Sequence, residues 1–586
     1  MSTIYRNGRI RPEFTGDDIA SAMAVSGSTI VAVGTEAAVA AAVEAGATVI
    51  DLNGRCVIPG LTDVHTHVAG HALDEKCVEL RDTCDPTVTS VAVMLERMAQ
   101  VAATREPGEL VIGIGAMRQN TRLAERRWPT RAELDRAVPD NPAYITFGSH
   151  VTCANSLALE QGGIDRHTQD PPAGKIERDQ ETGEPTGTLL ETAKETVIQD
   201  LVSYYSFEQY VDALETALLR LAGTGITTIH DIIATRDQVR AYQVLHDQGR
   251  LPVRVMMLIR IFESDFSPES LPELGLAAGF GDGLLWFGGA KISVDGATSS
   301  RSAMFKTAVP GQALDRAIVR VPQDTLDETV ARYENARIRL AIHTIGDGAV
   351  DSALDAFEKA GASGVRHRLE HFGNWLVTPE RVERCQRLGV TPVPNPAFVR
   401  FLGDDHFDLL GGEGSPYGES IYPYRTLLDA GFHLAGGSDG PGPYRCGGLR
   451  DVGIMAERTS MSGRRFPDSG NLTLRQAFHA QTVAAAWLGY REHSAGVLAP
   501  GYDADFVVLD TDDVLAVAPA ELASLAVLRT VVGGRTVYGG RLARKQPFVQ
   551  DKDSDLPSPN TAWSPGHSSR MSPGIPARIV WLGPSG

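Results

Sequence analysis

Two histidines one residue apart, His65 and His67, close the run Pro59-Gly60-Leu61-Thr62-Asp63-Val64-His65-Thr66-His67. In a β-strand residues i and i+2 share a face, so this spacing sets two imidazoles side by side on a stiff backbone. Neutral nitrogen donors held that way are part of what a metal ion needs. Alone the pair is weak evidence, since polar residues often end a strand. Other apolar runs end the same way, however. Lys291 stands in Gly289-Ala290-Lys291-Ile292, His343 in Ala341-Ile342-His343, His371 in Leu369-Glu370-His371 and Asp439 in Gly437-Ser438-Asp439. A charged or imidazole side chain in a β run is costly unless it is paired or ligated. His65, His67, Lys291, His343, His371 and Asp439 are therefore read together as one metal centre.

The runs that carry these residues are 57–64, 225–230, 253–261, 286–294, 339–344, 366–371, 389–394 and 433–438. They alternate with helical stretches, the βα signature of a parallel sheet. Eight such strands predict an α/β fold, a (β/α)8 TIM barrel, whose active sites sit at the carboxyl ends of the strands. The interval after the first run is too long for one crossover helix. Residues about 80–200 are read as an insertion with strands at Leu110–Ala116 and Pro142–Phe147, long enough to roof a pocket. Short β runs occupy both ends of the chain: Ile4–Arg11, Met23–Val33 and Thr48–Leu52 before an Asn53-Gly54 turn, then Asp505–Leu509, Val527–Val532 and Thr536–Tyr538 around Gly533-Gly534. They predict one small β-sandwich domain from residues 1–56 and 490–545, with the barrel over 57–489. Residues 546–586, rich in Pro, Ser and Gly, read as an irregular tail.

Composition narrows the partners. The 586 residues are 42% hydrophobic and 22% charged, with a formal charge of -18. Such a field repels phosphate backbones, so nucleic acid is excluded as an expected partner. No apolar run approaches the ~18 residues of a membrane helix, and the opening MSTIYRNGRIRPEF has no apolar leader core. Six cysteines without a CxxC pair exclude a disulfide scaffold and fit a cytoplasmic setting. The expected partner is a small molecule, with no membrane; homo-oligomerisation stays open.

The run Pro59–His67 resembles the first-strand motif of the amidohydrolase superfamily. Gly496-Val497-Leu498-Ala499-Pro500-Gly501-Tyr502-Asp503-Ala504-Asp505 resembles the superfamily's return into its small β domain. Ser149-His150-Val151-Thr152-Cys153-Ala154-Asn155-Ser156 with Ala158-Leu159, Pro185-Thr186-Gly187 with Glu191, Asp295-Gly296-Ala297 and His343-Thr344-Ile345-Gly346-Asp347 are similar to the YtcJ-like (amidohydrolase-3 type) branch, which includes N-substituted formamide deformylases. The resemblance covers about residues 1–545; Gly115-Ala116-Met117 stands where the branch has Gly-Trp-Asp.

The resemblance implies a role for each ligand. His65 and His67 bind the buried metal, and Lys291, carboxylated on Nζ, bridges two. His343 and His371 bind the second; Asp439 binds the first and shuttles protons. Two divalent ions, expected to be Zn2+, follow, although these donors also suit iron or manganese. A protonated lysine beside two cations would be repelled, whereas its carbamate is a carboxylate donor. An unmodified lysine in a one-metal site is the alternative. Metal coordination lowers the pKa of water to about 7. The resulting hydroxide attacks a polarised carbonyl while Asp439 carries the proton to the leaving nitrogen. The implied reaction is hydrolysis of a non-peptide, amide-type C–N bond, with ester or lactone hydrolysis as an alternative on the same site.

Three further residues are candidate substrate contacts: His150 in the insertion, His230 ending the second run, and Arg301 after the Asp295-Gly296 turn. Their plainer readings are internal hydrogen bonds for the histidines and a surface ion pair for Arg301. His367, read as facing inward below His371, is assigned a core hydrogen bond. Gly436-Gly437-Ser438-Asp439-Gly440 matches the G-x-S-x-G elbow of serine hydrolases. Strand alternation would turn Ser438 away from a site that Asp439 faces, and Pro441 and Pro443 follow where a helix would begin.

Overall fold

A computed structural model describes residues 2–539, apart from residues 45, 149, 197–204, 307, 308, 311, 362, 363, 416–420 and 441–446. The tail expected over 546–586 lies outside the described residues.

Seven strands build the central sheet: β1 (Leu61–Thr66), β2 (Ile226–Ile233), β3 (Arg254–Arg260), β4 (Leu285–Ser293), β5 (Leu340–His343), β6 (Arg368–Glu370) and β7 (Thr391–Val393). They lie side by side in chain order, each parallel to its neighbour. Every residue of β2 is buried, as a parallel strand covered on both faces requires. Outward-facing Ile229, Ala290, Ile292, Leu340 and Ile342 pack in one apolar cluster with Leu214, Leu218, Val330, Leu354 and Phe357 of the surrounding helices. Capping boxes fix the starts of two of these helices, Ser206 with Gln209 and Thr235 with Gln238, each satisfying two backbone amides that the first turn would otherwise leave unpaired.

The expected eighth strand, 433–438, is not a regular ladder. Three hydrogen bonds stitch its end to the sheet: Gly437 N to Pro394 O at 3.1 Å, Asp439 N to His65 O at 2.9 Å, and His67 N to Gly440 O at 2.7 Å. The parallel sheet is thus a nearly closed barrel. The irregularity has a local cause. Ser438 N donates to the Asp63 carboxylate at 2.9 Å rather than to a backbone carbonyl. The segment also runs so close to β1 that a Cβ on Gly437 would lie 2.3 Å from the His65 Cβ.

The interval after β1 has a sheet of its own, six strands spanning Val78–Glu79, Val111–Gly115, Ala143–Phe147, Val151–Ala154, Gly174–Arg178 and Pro185–Glu191. Met94, Met98 and Leu134 of its helices cover Val111, Ile145, Phe147 and Val151. Strands from both ends of the chain form two more sheets, one of four strands and one of five, in which Cys56–Pro59 pairs with Phe506–Leu509. Tyr5, Met23, Val25, Val57, Phe506, Val508 and Val531 of these sheets share one core. Arg254 at the base of β3 grips Asp505 through Nε at 2.6 Å and Nη2 at 3.0 Å, tying the barrel to the returning chain. No described helix is long and apolar enough to cross a membrane.

Candidate metal centre

His65 stands on strand β1 and His67 directly follows its last residue, and the Nε2 atom of each lies 3.2 Å from Asp439 Oδ1. Asp439 reaches them because its backbone adopts φ +60, a left-handed conformation that Asp tolerates better than most residues. The His371 ring centroid is 4.9 Å from that of His65 and 4.5 Å from that of His343. Ligand atoms of His65, His371 and Asp439 all lie within 4.8 Å of one another. His67, Lys291, His343, His371 and Asp439 line one cavity of about 260 Å³, with His65 buried behind them. The six residues singled out from the ends of the runs are brought together.

The layer beneath them orients the imidazoles. Glu370 is fully buried and takes His65 Nδ1 on Oε2. Arg368 grips the same carboxylate, Nε to Oε1 at 2.6 Å and Nη2 to Oε2 at 2.9 Å. Burial favours the neutral acid, but Arg368 and then His65 outweigh it and hold Glu370 well below the carboxylate range. An ionised Glu370 makes His65 Nδ1 the protonated nitrogen and leaves Nε2 as a lone pair. That buried Nε2 makes no hydrogen bond. His371 Nδ1 meets Asn395 Oδ1 at 2.7 Å, which likewise frees its Nε2. His343 Nε2 donates to Gly296 O at 3.1 Å, which leaves Nδ1 as the lone-pair nitrogen of that neutral ring.

Electrostatics favour the same state. Burial depresses the pKa of His67 and His343, and that of His371 to about 3, so these rings are neutral. For Asp439 burial works toward protonation, but the close approach of His65 and His67 outweighs it and holds the carboxyl well below the usual range. Burial pushes the Lys291 amine down to about 8, and it makes no hydrogen bond to a described residue. Neutral imidazoles and an ionised carboxylate are the forms that ligate divalent cations.

His150 lines the cavity, its ring centroid 6.2 Å from that of His343. Its Nδ1 is held at 2.8 Å by Oε2 of Glu191, a fully buried carboxylate. Glu191 also accepts from Ser302 Oγ at 2.6 Å and from Arg320 Nη1 at 3.0 Å. The other two expected substrate contacts are not among the described residues of the cavity wall. His230 points inward from β2 but is fully buried, its Nδ1 3.1 Å from Arg368 Nη1. Arg301 lies in the field of Arg118, Asp405 and Arg316 and beside His406 rather than on the cavity wall.

His367 does not face the barrel interior. Strand β6 ends at Glu370, and His371 turns off it at φ +73, so alternation places Arg368 and Glu370 inward and His367 outward. There its Nδ1 accepts from Leu340 N at 3.0 Å, its Nε2 meets Glu334 at 2.7 Å, and its ring packs on Phe357. Ser438 is buried off the cavity, and its Oγ accepts from Gly440 N at 3.0 Å. No histidine among the described residues is bonded to that hydroxyl, so the elbow motif lacks its base.

Several site residues escaped the sequence reading. Arg368 and Glu370 carried a usable signal, two charges alternating in a short buried strand. Lys194, Arg260 and Arg320 also line the cavity, and no spacing marked them.

The sequence model of a family described as "Amidohydrolase family" matches residues 48–538. The N-substituted formamide deformylase of Arthrobacter pascens is 31% identical over 559 residues, covering 91% of this chain and 97% of that protein. The putative amidohydrolase YtcJ of Bacillus subtilis (strain 168) is 29% identical over 501 residues, 83% of this chain and 90% of that one. Among solved structures, an uncharacterized metal-dependent hydrolase from Pyrococcus horikoshii OT3 matches with a TM-score of 0.69 at 23% identity, covering 89% of this chain and 99% of that one. That likeness supports a TIM-barrel-like α/β fold.

Proposed function

Because the chain belongs to the amidohydrolase family, and is accordingly an enzyme acting on C–N bonds other than peptide bonds, we propose that it hydrolyses an amide-type bond of a small molecule with divalent metal ions held at the barrel mouth. The ligands are His65, His67, Lys291, His343, His371 and Asp439, with zinc the first candidate ion and two ions the expected number. The observation that carries this reading is the buried, hydrogen-bond-free His65 Nε2 beside His371 and the ionised Asp439, all three offering ligand atoms within 4.8 Å. An orphaned buried nitrogen costs about 1–3 kcal/mol, and a cation relieves that cost.

Bound divalent ions supply an acidified water and polarise an amide carbonyl. The protein's own groups do the rest. Glu370, locked by Arg368, keeps the His65 proton on Nδ1. Asp439, whose side chain is 13% exposed toward the cavity, takes the proton of the attacking water and returns it to the leaving nitrogen. His150, fixed by Glu191, is positioned to hydrogen-bond the substrate through Nε2. Lys291 is buried and readily loses its proton, which supports carboxylation: the neutral amine adds carbon dioxide, releases one proton and becomes a carbamate. We assign this chemistry to a barrel domain of residues 57–489 and a supporting role to residues 1–56 with 490–545.

N-substituted formamides are the first substrates to test, on the strength of the Arthrobacter pascens relative. A panel of N-formyl, N-acyl and cyclic amides is to be assayed with the zinc-loaded enzyme and after chelation. Hydrolysis that is lost on chelation and restored by metal is the expected result. Turnover unaffected by complete metal removal would overturn the proposal.

A further inference from the structure

One part of the cavity wall is charged in a way the hydrolysis above does not use. Three cations line it: Lys194 from the insertion, Arg260 at the end of β3, and Arg320 beyond β4. Arg260 lies in register with Lys291 on the neighbouring strand. The amide of Arg320 donates to Val294 O at 2.9 Å, just past the end of β4. The cations therefore flank the metal ligands rather than occupying a separate recess.

Their hydrogen bonds are unequally used. Arg320 spends its guanidinium on protein carboxylates, Nη1 on Glu191 at 3.0 Å and Nε on Glu263 at 3.2 Å. Among the described residues the Arg260 guanidinium gives a single bond, Nη2 to Glu263 at 2.5 Å, out of the five donors it carries. Lys194 makes no hydrogen bond to a described residue. Glu191 and Glu263, which hold the arginines, do not line the cavity; the carboxylates that do are Glu195, next to Lys194, Asp74, which is paired with Arg81, and Asp439 among the histidines. The Arg260 side chain is 21% exposed and Lys194 is half-buried. Unpaired charged donors in such a recess are costly, and burial accordingly pushes the Lys194 ammonium down to about 8.

We propose that Arg260 and Lys194 form a carboxylate subsite, so that the substrates of this enzyme are amides bearing an acidic group, N-acylamino acids being the representative class. This inference rests on the assignment of the same cavity to hydrolysis. The free face of the Arg260 fork matches the two oxygens of a carboxylate, and Lys194 adds a second charge from the insertion. The metal ligands then engage the scissile amide while the subsite holds the other end of the molecule.

The test uses two probes that are not hydrolysed and differ in one group, N-methylsulfonyl-phenylalanine and N-methylsulfonyl-phenethylamine, titrated calorimetrically into the zinc-loaded enzyme. The carboxylate-bearing probe is expected to bind at least about tenfold more tightly. Arg260→Met and Lys194→Met are each expected to cut that ratio to below about threefold with metal content unchanged, and Arg260→Lys to restore most of it. Lys194 is half-buried on the cavity wall, so its variant keeps the test open if Arg260→Met fails to fold. Equal binding of the two probes would overturn the subsite. So would a preference that survives both variants, because the carboxylate would then be sitting on the metals. Failure to hydrolyse any amide with metal present would count against the hydrolysis proposal alone and leaves this binding comparison standing.

Discussion

Replacing Glu370 by Gln keeps the side chain's volume and removes its charge, at a fully buried position that is not among the described residues of the cavity wall. The carboxylate accepts from His65 and, twice, from Arg368, both fully buried. Two losses follow. His65 loses the charged partner that fixes its proton on Nδ1, and removal of such a partner lowers metal affinity about 10–100-fold, roughly 1.4–2.7 kcal/mol. Arg368 loses its counter-ion, and breaking a buried pair costs about 3–5 kcal/mol. The lower end is expected here, since Arg368 Nη2 keeps the Val64 carbonyl at 2.7 Å. Competition with a chromogenic chelator reads the zinc affinity, and urea unfolding of the metal-free protein reads the stability. The folded-state pKa of Glu370 is depressed. Its contribution is therefore complete above the unfolded value of about 4.3 and fades as pH falls through the folded value. The stability gap between wild type and Glu370→Gln should accordingly narrow in acid. Zinc affinity within about twofold of wild type would refute the assignment of Glu370 as the group that orients His65.

Asp439→Asn should lower turnover by about 10²–10⁴, the effect of a lost general base, while Ser438→Ala changes it little; the opposite outcome, read in the same amide assay, would favour a serine nucleophile. Lys291→Ala should lose metal and nearly all activity, with partial recovery on adding short carboxylic acids that stand in for the carbamate; recovery with none of them tested at millimolar concentration would count against carboxylation. His150→Ala should lower kcat/KM at least about tenfold, near 1.4 kcal/mol, with metal content intact by elemental analysis; unaltered kinetics on the best substrate would make His150 purely structural.

The six residues gathered at the barrel mouth were legible because each breaks an apolar β run with a polar residue, and such residues are rare in strands without a partner. Positions that rest on strict strand alternation were also legible: Lys291 stands between Ala290 and Ile292, and both neighbours pack among the helices. The same rule misplaced His367, because the chain leaves β6 one residue before His371 and resets the count. The eighth strand was obscured by a contact distant in sequence. Asp63 takes the amide of Ser438, and only a glycine at 437 lets the segment approach β1. Arg301 drew attention from its place after a turn, whereas Arg260, Arg320 and Lys194 reach the cavity from three separate parts of the chain. Nothing local distinguishes an arginine aimed at a cavity from one in a surface ion pair; only the folded barrel and insertion decide it.

The central claim is that the barrel mouth is a divalent-metal site. Its most direct test is the metal content per chain of the purified, amide-hydrolysing protein, measured by inductively coupled plasma mass spectrometry against amino-acid analysis. Two divalent ions per chain are expected, as the ligand chemistry of His65, His67, Lys291, His343, His371 and Asp439 implies. A fully active protein carrying no stoichiometric divalent ion would contradict it.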